Sequence, residues 1–237
     1  MQMRRILFLI LFITSSASLS AQHYSVWLRG TLLQPINDRW STAAELQYRF
    51  QNDVGTNNPF REHLLKSYRH WVYYKVNDNI RFELSPFAYY ESYSIIQQVS
   101  DRDKAPAKEY RLTAAINLEQ KLSGKLAIVN RTGLEDRMFT NNADLLRLRN
   151  KFGLLYELNS WTINAFNELL VNVSGVNKDY FFDHNRLGMS VSHSLPSHLK
   201  VELGYLHINR LLRNSGGRLQ ENDFVLNLTY KLNKLLK

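Results

Sequence analysis

The chain has 237 residues, 44% of them hydrophobic and 12% aromatic, with 30 Lys and Arg against 21 Asp and Glu for a formal net charge of +9. Such a length suits one large domain or two small ones, and the absence of cysteine excludes disulfides, thiolate metal centres and a lipid-anchored cysteine. The Lys and Arg are scattered singly rather than in blocks, so the basic balance does not point to nucleic acid.

Met1 to Arg5 is short and basic, ILFLILFI (6–13) is apolar, and TSSASLSA leads to Gln22. That order is a secretory signal peptide over 1–21, cleaved after Ala21, or after Ser20 because Leu19 is large for its place. The apolar run is too short to serve as a membrane anchor. Removing Arg4 and Arg5 lowers the charge from +9 by two, to +7, for a mature domain over 22–237.

Eleven extended segments follow, at about 24–34, 39–51, 62–76, 80–96, 107–121, 125–137, 144–158, 161–174, 181–195, 198–211 and 219–233. Strands of soluble proteins have about 5–6 residues, whereas a tilted membrane-crossing strand needs about 9–11. In the second segment Trp40, Thr42, Ala44, Leu46, Tyr48 and Phe50 alternate with Ser41, Ala43, Glu45, Gln47 and Arg49. Successive side chains on a strand point to opposite faces, so one face is apolar and the other polar. The same alternation recurs in 107–121, 144–158, 198–211 and 219–233. The segment 61–76 also carries a helical stripe through Leu64, Leu65, Tyr68, Trp71 and Val72. A strand is the reading adopted there, because the loops on either side require a crossing.

The connections sort by parity. PIND (35–38), NDN (77–79), SG (123–124), NS (159–160) and PS (196–197) are tight, while 52–59, 97–107, 140–142, 175–179 and 213–218 are longer and polar. Short periplasmic turns and longer external loops are the asymmetry of bacterial outer-membrane barrels. Trp40, Phe82 and Trp161 stand just after tight turns, where amphipathic rings sit at the inner headgroup level. Tyr48, Phe50, Tyr89, Tyr90, Tyr93, Phe181 and Phe182 form the second girdle near the longer loops. The fold expected is an all-β antiparallel transmembrane barrel of about 10–12 strands. Single-chain bacterial barrels close with even numbers, so ten or twelve strands is the expectation and the first segment is the exceptional one.

The early tryptophan strand SVWLRG (25–30), LQYRF (46–50), NRTGLEDR (130–137) and LLRLRNKFGLLYEL (145–158) together resemble a family of outer-membrane barrels from bacteroidetes-type bacteria, known only as a domain of unknown function. The resemblance implies a fold and an envelope location, and no activity or catalytic residues.

By the alternation, the polar face carries Glu45, Gln47, Arg49, Arg81, Glu83, Glu91, Arg111, Glu119, Arg131, Glu135, Arg137, Arg147, Arg149, Lys151, Glu168, Arg186, Lys200 and Glu202. Enclosed charges need partners, so Arg–Glu ladders are expected, with the cationic excess lining a narrow path or pocket for a small anionic solute. Outer-membrane lipid contacts the apolar face, and lipopolysaccharide is a further partner of the rim. The contrasting function is a lipid or lipopolysaccharide hydrolase, which requires a serine beside a histidine. His193 and the serines Ser190, Ser192 and Ser194 fall on opposite faces of one strand. No metal or cofactor motif is legible, so the non-enzymatic reading is preferred.

Overall fold

A computed structural model describes residues 23–212 and 217–235. The signal-peptide reading and most of the loop at 213–218 lie outside the described residues. The chain forms β1 (His23–Pro35), β2 (Trp40–Gln51), β3 (Glu62–Lys75), β4 (Ile80–Ser92), β5 (Ala107–Lys121), β6 (Leu126–Phe139), β7 (Leu145–Leu158), β8 (Trp161–Ser174), β9 (Phe182–Ser194), β10 (Leu199–Leu211) and β11 (Arg218–Lys231). Each strand pairs with its sequence neighbours, and β1 meets β11 to close the barrel. A strand of 13 residues at about 3.3 Å per residue and a tilt of about 40° stands roughly 33 Å tall, more than the ~25 Å apolar band of an outer-membrane barrel.

The expected even count is corrected to eleven. Consecutive strands run antiparallel, so an odd number leaves the first and last pointing the same way. They pair in parallel, His23 opposite Glu221 through to Leu33 opposite Lys231. A parallel ladder satisfies its backbone groups with slanted bonds, so closure needs no twelfth strand. β3 is a strand along its whole length, paired with β2 and β4.

The two ends differ as the sequence suggests. In three tight turns a side-chain oxygen caps the two backbone N–H groups that follow: Asn37 Oδ1 accepts from Arg39 and Trp40, Asn77 Oδ1 from Asn79 and Ile80, and Ser123 Oγ from Lys125 and Leu126. In the other two, Asn159 (φ 55°) and His198 (φ 62°) take the left-handed conformation. At the opposite end the guanidinium of Arg102 grips both oxygens of Asp53, joining the β2–β3 and β4–β5 loops.

The outer wall is apolar: Leu46 and Leu203 are each 63% exposed and Leu187 60%. A continuous belt of this kind is stable only against hydrocarbon. Trp40, Phe82 and Trp161 stand exposed on this wall beside the tight turns. The polar groups within the belt bond to one another, Asn150 to Thr132 at 2.8 Å and Asn167 to Asn185 at 2.9 Å. Pairing in this way reduces the cost of polar atoms in lipid.

Five register shifts interrupt the ladders. They correspond to four extra residues, since the shifts on the two sides of β4 share one, and each changes which face the following side chains take. The shift between Ser85 and Tyr89 turns Tyr90 inward, where it is 3% exposed, so Tyr90 does not belong to the outer girdle. The same shift moves Glu91 out of the polar interior, and its carboxylate accepts a hydrogen bond from Tyr93.

Candidate functional site

The lumen is filled by an ionic lattice with a cavity of about 480 Å³ at its centre. Glu135 on β6 is its hub, with no exposed surface. Its Oε2 accepts from Arg147 at 2.5 Å and its Oε1 from Arg149 at 2.7 Å, and Arg111 lies 3.6 Å away. Each arginine then reaches a second carboxylate: Arg147 to Asp183, Arg149 to Glu168, and Arg111 to Glu109. Glu168 also accepts from Arg186 at 2.9 Å, and Glu109 from Arg137 at 2.7 Å. Nearer the tight turns Glu83 is shared by Arg81 and Arg131.

The alternation produces this lattice directly. Arg147, Arg149 and Lys151 are spaced by two on β7, and β7 lies between Glu135 of β6 and Glu168 of β8. Arg147 is the register partner of Glu135, and Lys151 that of Glu168. Cationic and anionic residues therefore interdigitate across adjacent strands, the arrangement that makes opposite-charge pairs favourable in a sheet.

Three cations break the pattern. Among the described residues Arg49, Arg69 and Lys151 make no ion pair, yet all three line the cavity. Each lies instead on an aromatic face. Arg49 sits 3.5 Å from the ring centre of Trp27, Arg69 4.7 Å from that of Trp71, and Lys151 3.6 Å from that of Phe166. Arg49 also donates to Gln47 Oε1 at 3.0 Å. A desolvated cation–π contact contributes about 2 kcal/mol, whereas desolvating an ion costs several. The rings therefore position these cations without neutralising them, and water or an anion in the cavity must supply the rest.

The other sequence-singled residues take up different stations. Glu45 lies 3.9 Å from Arg29 and Glu202 accepts from Asn227 at 2.9 Å, both beside the cavity. Glu119 is half-buried near the tight turns and joins no ion pair among the described residues. Arg81 is half-exposed at the same end.

Sequence reasoning missed Glu109, Asp183, Arg69 and the aromatic seats. Glu109 shares the face of Arg111, two residues on, so the signal was present at the strand's edge. Asp183 is turned inward at the irregularity in which Leu170 pairs with His184 but Val171 with Phe182. Arg69 and Trp71 fall in the segment whose helical stripe obscured its alternation.

No serine hydroxyl bonds a histidine among the described residues. At the long-loop end Ser25 and His23 come near Asp223, but Ser25 donates to Asp223 at 2.6 Å while His23 bonds Gln51 at 2.9 Å. The hydroxyl and the imidazole are wired to different partners, so no nucleophile–base pair exists there.

A closed wall with an apolar outer belt and a charged interior defines the class: a porin-like outer-membrane β-barrel fold. The family model described as "Protein of unknown function (DUF2490)" matches residues 24–220, and the chain belongs to that family. None of the curated proteins matches it. Among solved structures, the NanC porin is similar over 89% of this chain and 99% of its own, at 10% identity and a TM-score of 0.52. The KdgM porin, solved in complex with disordered oligogalacturonate, is similar over 78% of this chain and 90% of its own, at 12% identity and a TM-score of 0.45. A bacterial polysaccharide outer membrane secretin gives 13% identity and a TM-score of 0.47, over 79% of this chain, which spans 63% of the secretin's length.

Proposed function

We propose that the protein is a non-enzymatic outer-membrane barrel whose lumen forms a narrow anion-favouring pore. The observation that carries this reading is the trio Arg49, Arg69 and Lys151, cationic, cavity-facing and, among the described residues, in no direct ion pair. The surrounding lattice leaves little free width, and field lines from fixed charges concentrate in a narrow low-dielectric passage. A small anion entering the cavity replaces its hydration with guanidinium and ammonium donors, while a cation meets an uncompensated positive field. The central carboxylates Glu83, Glu135 and Glu168 are already engaged by arginines, so they offer a passing cation little. The porin-like fold and the apolar belt support an outer-membrane location.

The test is conductance of the refolded, detergent-purified chain in a planar bilayer under a potassium chloride gradient. Discrete steps with a zero-current potential of the sign that chloride carries are expected. Steps with potassium selectivity contradict the reading, and so does the absence of steps from protein shown to be folded by its heat-dependent gel mobility.

A further inference from the structure

At the long-loop end of the closing seam, His23 of β1 faces Glu221 of β11, its register partner, with Asp223 two residues further along β11. The three side chains are buried, at 1%, 1% and 0% exposure, and one potential ligand atom from each lies within 4.8 Å of the others. Each has one polar atom held by a neighbour. Glu221 Oε1 accepts from Arg210 at 2.5 Å. Asp223 Oδ1 accepts from the Ser25 hydroxyl, which in turn accepts from Trp27 Nε1 at 2.7 Å.

The state of His23 follows from Gln51. The Gln51 amide nitrogen donates to the carbonyls of His63 and Ser94, each at 2.9 Å, and its oxygen accepts from the N–H of Ile96. With the amide so oriented, Gln51 Oε1 faces His23 Nε2 at 2.9 Å and can only accept. Nε2 therefore carries the proton, and in neutral imidazole Nδ1 presents a lone pair. That lone pair points towards carboxylate oxygens. Among the described residues His23 Nδ1 and Asp223 Oδ2 have no hydrogen-bond partner, and Nδ1 stands 3.7 Å from Glu221 Oε2. Such a separation is too long for a hydrogen bond. It is close to the roughly 3.3 Å between ligands of a tetrahedral site with bonds of about 2.0–2.1 Å.

We infer that His23 Nδ1, Glu221 Oε2 and Asp223 Oδ2 form a site for one divalent transition-metal ion of the zinc type. One imidazole nitrogen and two carboxylate oxygens suit that ion, and the two carboxylates offset most of the combined charge of the ion and Arg210. Gln51, Arg210 and Ser25 each hold the far atom of one ligand, the outer-shell arrangement that fixes ligand direction. The ion would join β1 to β11 across the parallel pair that closes the barrel.

The experiment is zinc chloride titration by calorimetry on the untagged, folded full-length chain after chelator treatment, with cobalt substitution read by visible absorption. One zinc per chain is expected, with affinity reduced roughly tenfold or more in Asp223→Asn and in His23→Ala, and cobalt should give the intense bands of a low-coordinate site. Absence of zinc binding by folded wild-type protein overturns the inference, as does binding that both variants leave unchanged. Should a variant fail to fold, the wild-type cobalt spectrum decides: bands of hexaaqua cobalt alone contradict the site.

Discussion

Replacing Glu135 by glutamine removes one negative charge from the point where three arginines converge. The carboxamide keeps the shape but turns an N–H₂ group towards guanidinium donors. Removing one partner of a buried ion pair costs about 3–5 kcal/mol, because the remaining charge is left uncompensated. Here each arginine retains another carboxylate: Arg147 keeps Asp183 at 2.7 Å, Arg149 keeps Glu168 at 2.6 Å, and Arg111 keeps Glu109 at 2.7 Å. The loss should therefore fall at the lower end, about 3 kcal/mol. Urea unfolding of the refolded barrel in lipid vesicles, followed by tryptophan fluorescence, measures it. With a denaturant slope of about 3 kcal/mol per molar, the midpoint should drop by about 1 M. Glu157→Gln, at an exposed position, is the control and should stay within about 0.5 kcal/mol of wild type. A loss for Glu135→Gln no larger than that of the control would show that the arginines do not depend on Glu135.

Gly188 faces the ring of Phe166, and a Cβ at that position would collide with it. Gly188→Val should push the ring, with Lys151 above it, into the cavity, at a cost of about 1–3 kcal/mol and with lower conductance; unchanged conductance contradicts the packing. In the β4–β5 loop the Lys104 ammonium, with the backbone N–H groups of Gln97 and Gln98, holds the Asp101 carboxyl down at about 2. A depressed carboxyl stabilises the loop above its unfolded value of 3.8, and that contribution is lost as pH falls towards 2. Asp101→Asn at neutral pH should accordingly speed hydrogen exchange at Gln97 and Gln98, whereas equal rates in the two proteins refute the capping role.

The barrel was legible because its outer face needs hydrocarbon and its inner face needs charge compensation, which forces a period of two across the chain. Leu146, Leu148, Phe152 and Leu154 opposite Arg147, Arg149 and Lys151 carry that signal plainly. It fails where an extra residue enters a strand. The irregularity at Ser85–Tyr89, marked in sequence only by Pro86, sends Tyr90 in and Glu91 out, and the one at Leu170–Val171, which no residue preference marks, brings in Asp183. The strand count was visible, but its parity misled, since only three-dimensional closure reveals that β1 and β11 run in the same direction. For the candidate site, the charged residues on the inward face could be read, but which of them lack a partner could not. Arg49 and Arg186 look alike in sequence and both lie over Trp27, yet only Arg186 also pairs with a carboxylate, that of Glu168.

Charge reversal at the unpaired cations tests the central claim most directly. Zero-current potentials would be compared for wild type, Arg49→Glu and Lys151→Glu, with Arg81→Gln as a control at the half-exposed tight-turn end. Preference for chloride in the wild type, moved towards potassium by each reversal and little changed in the control, is the predicted result. Equal selectivity in all four proteins would place the filter elsewhere and contradict the account.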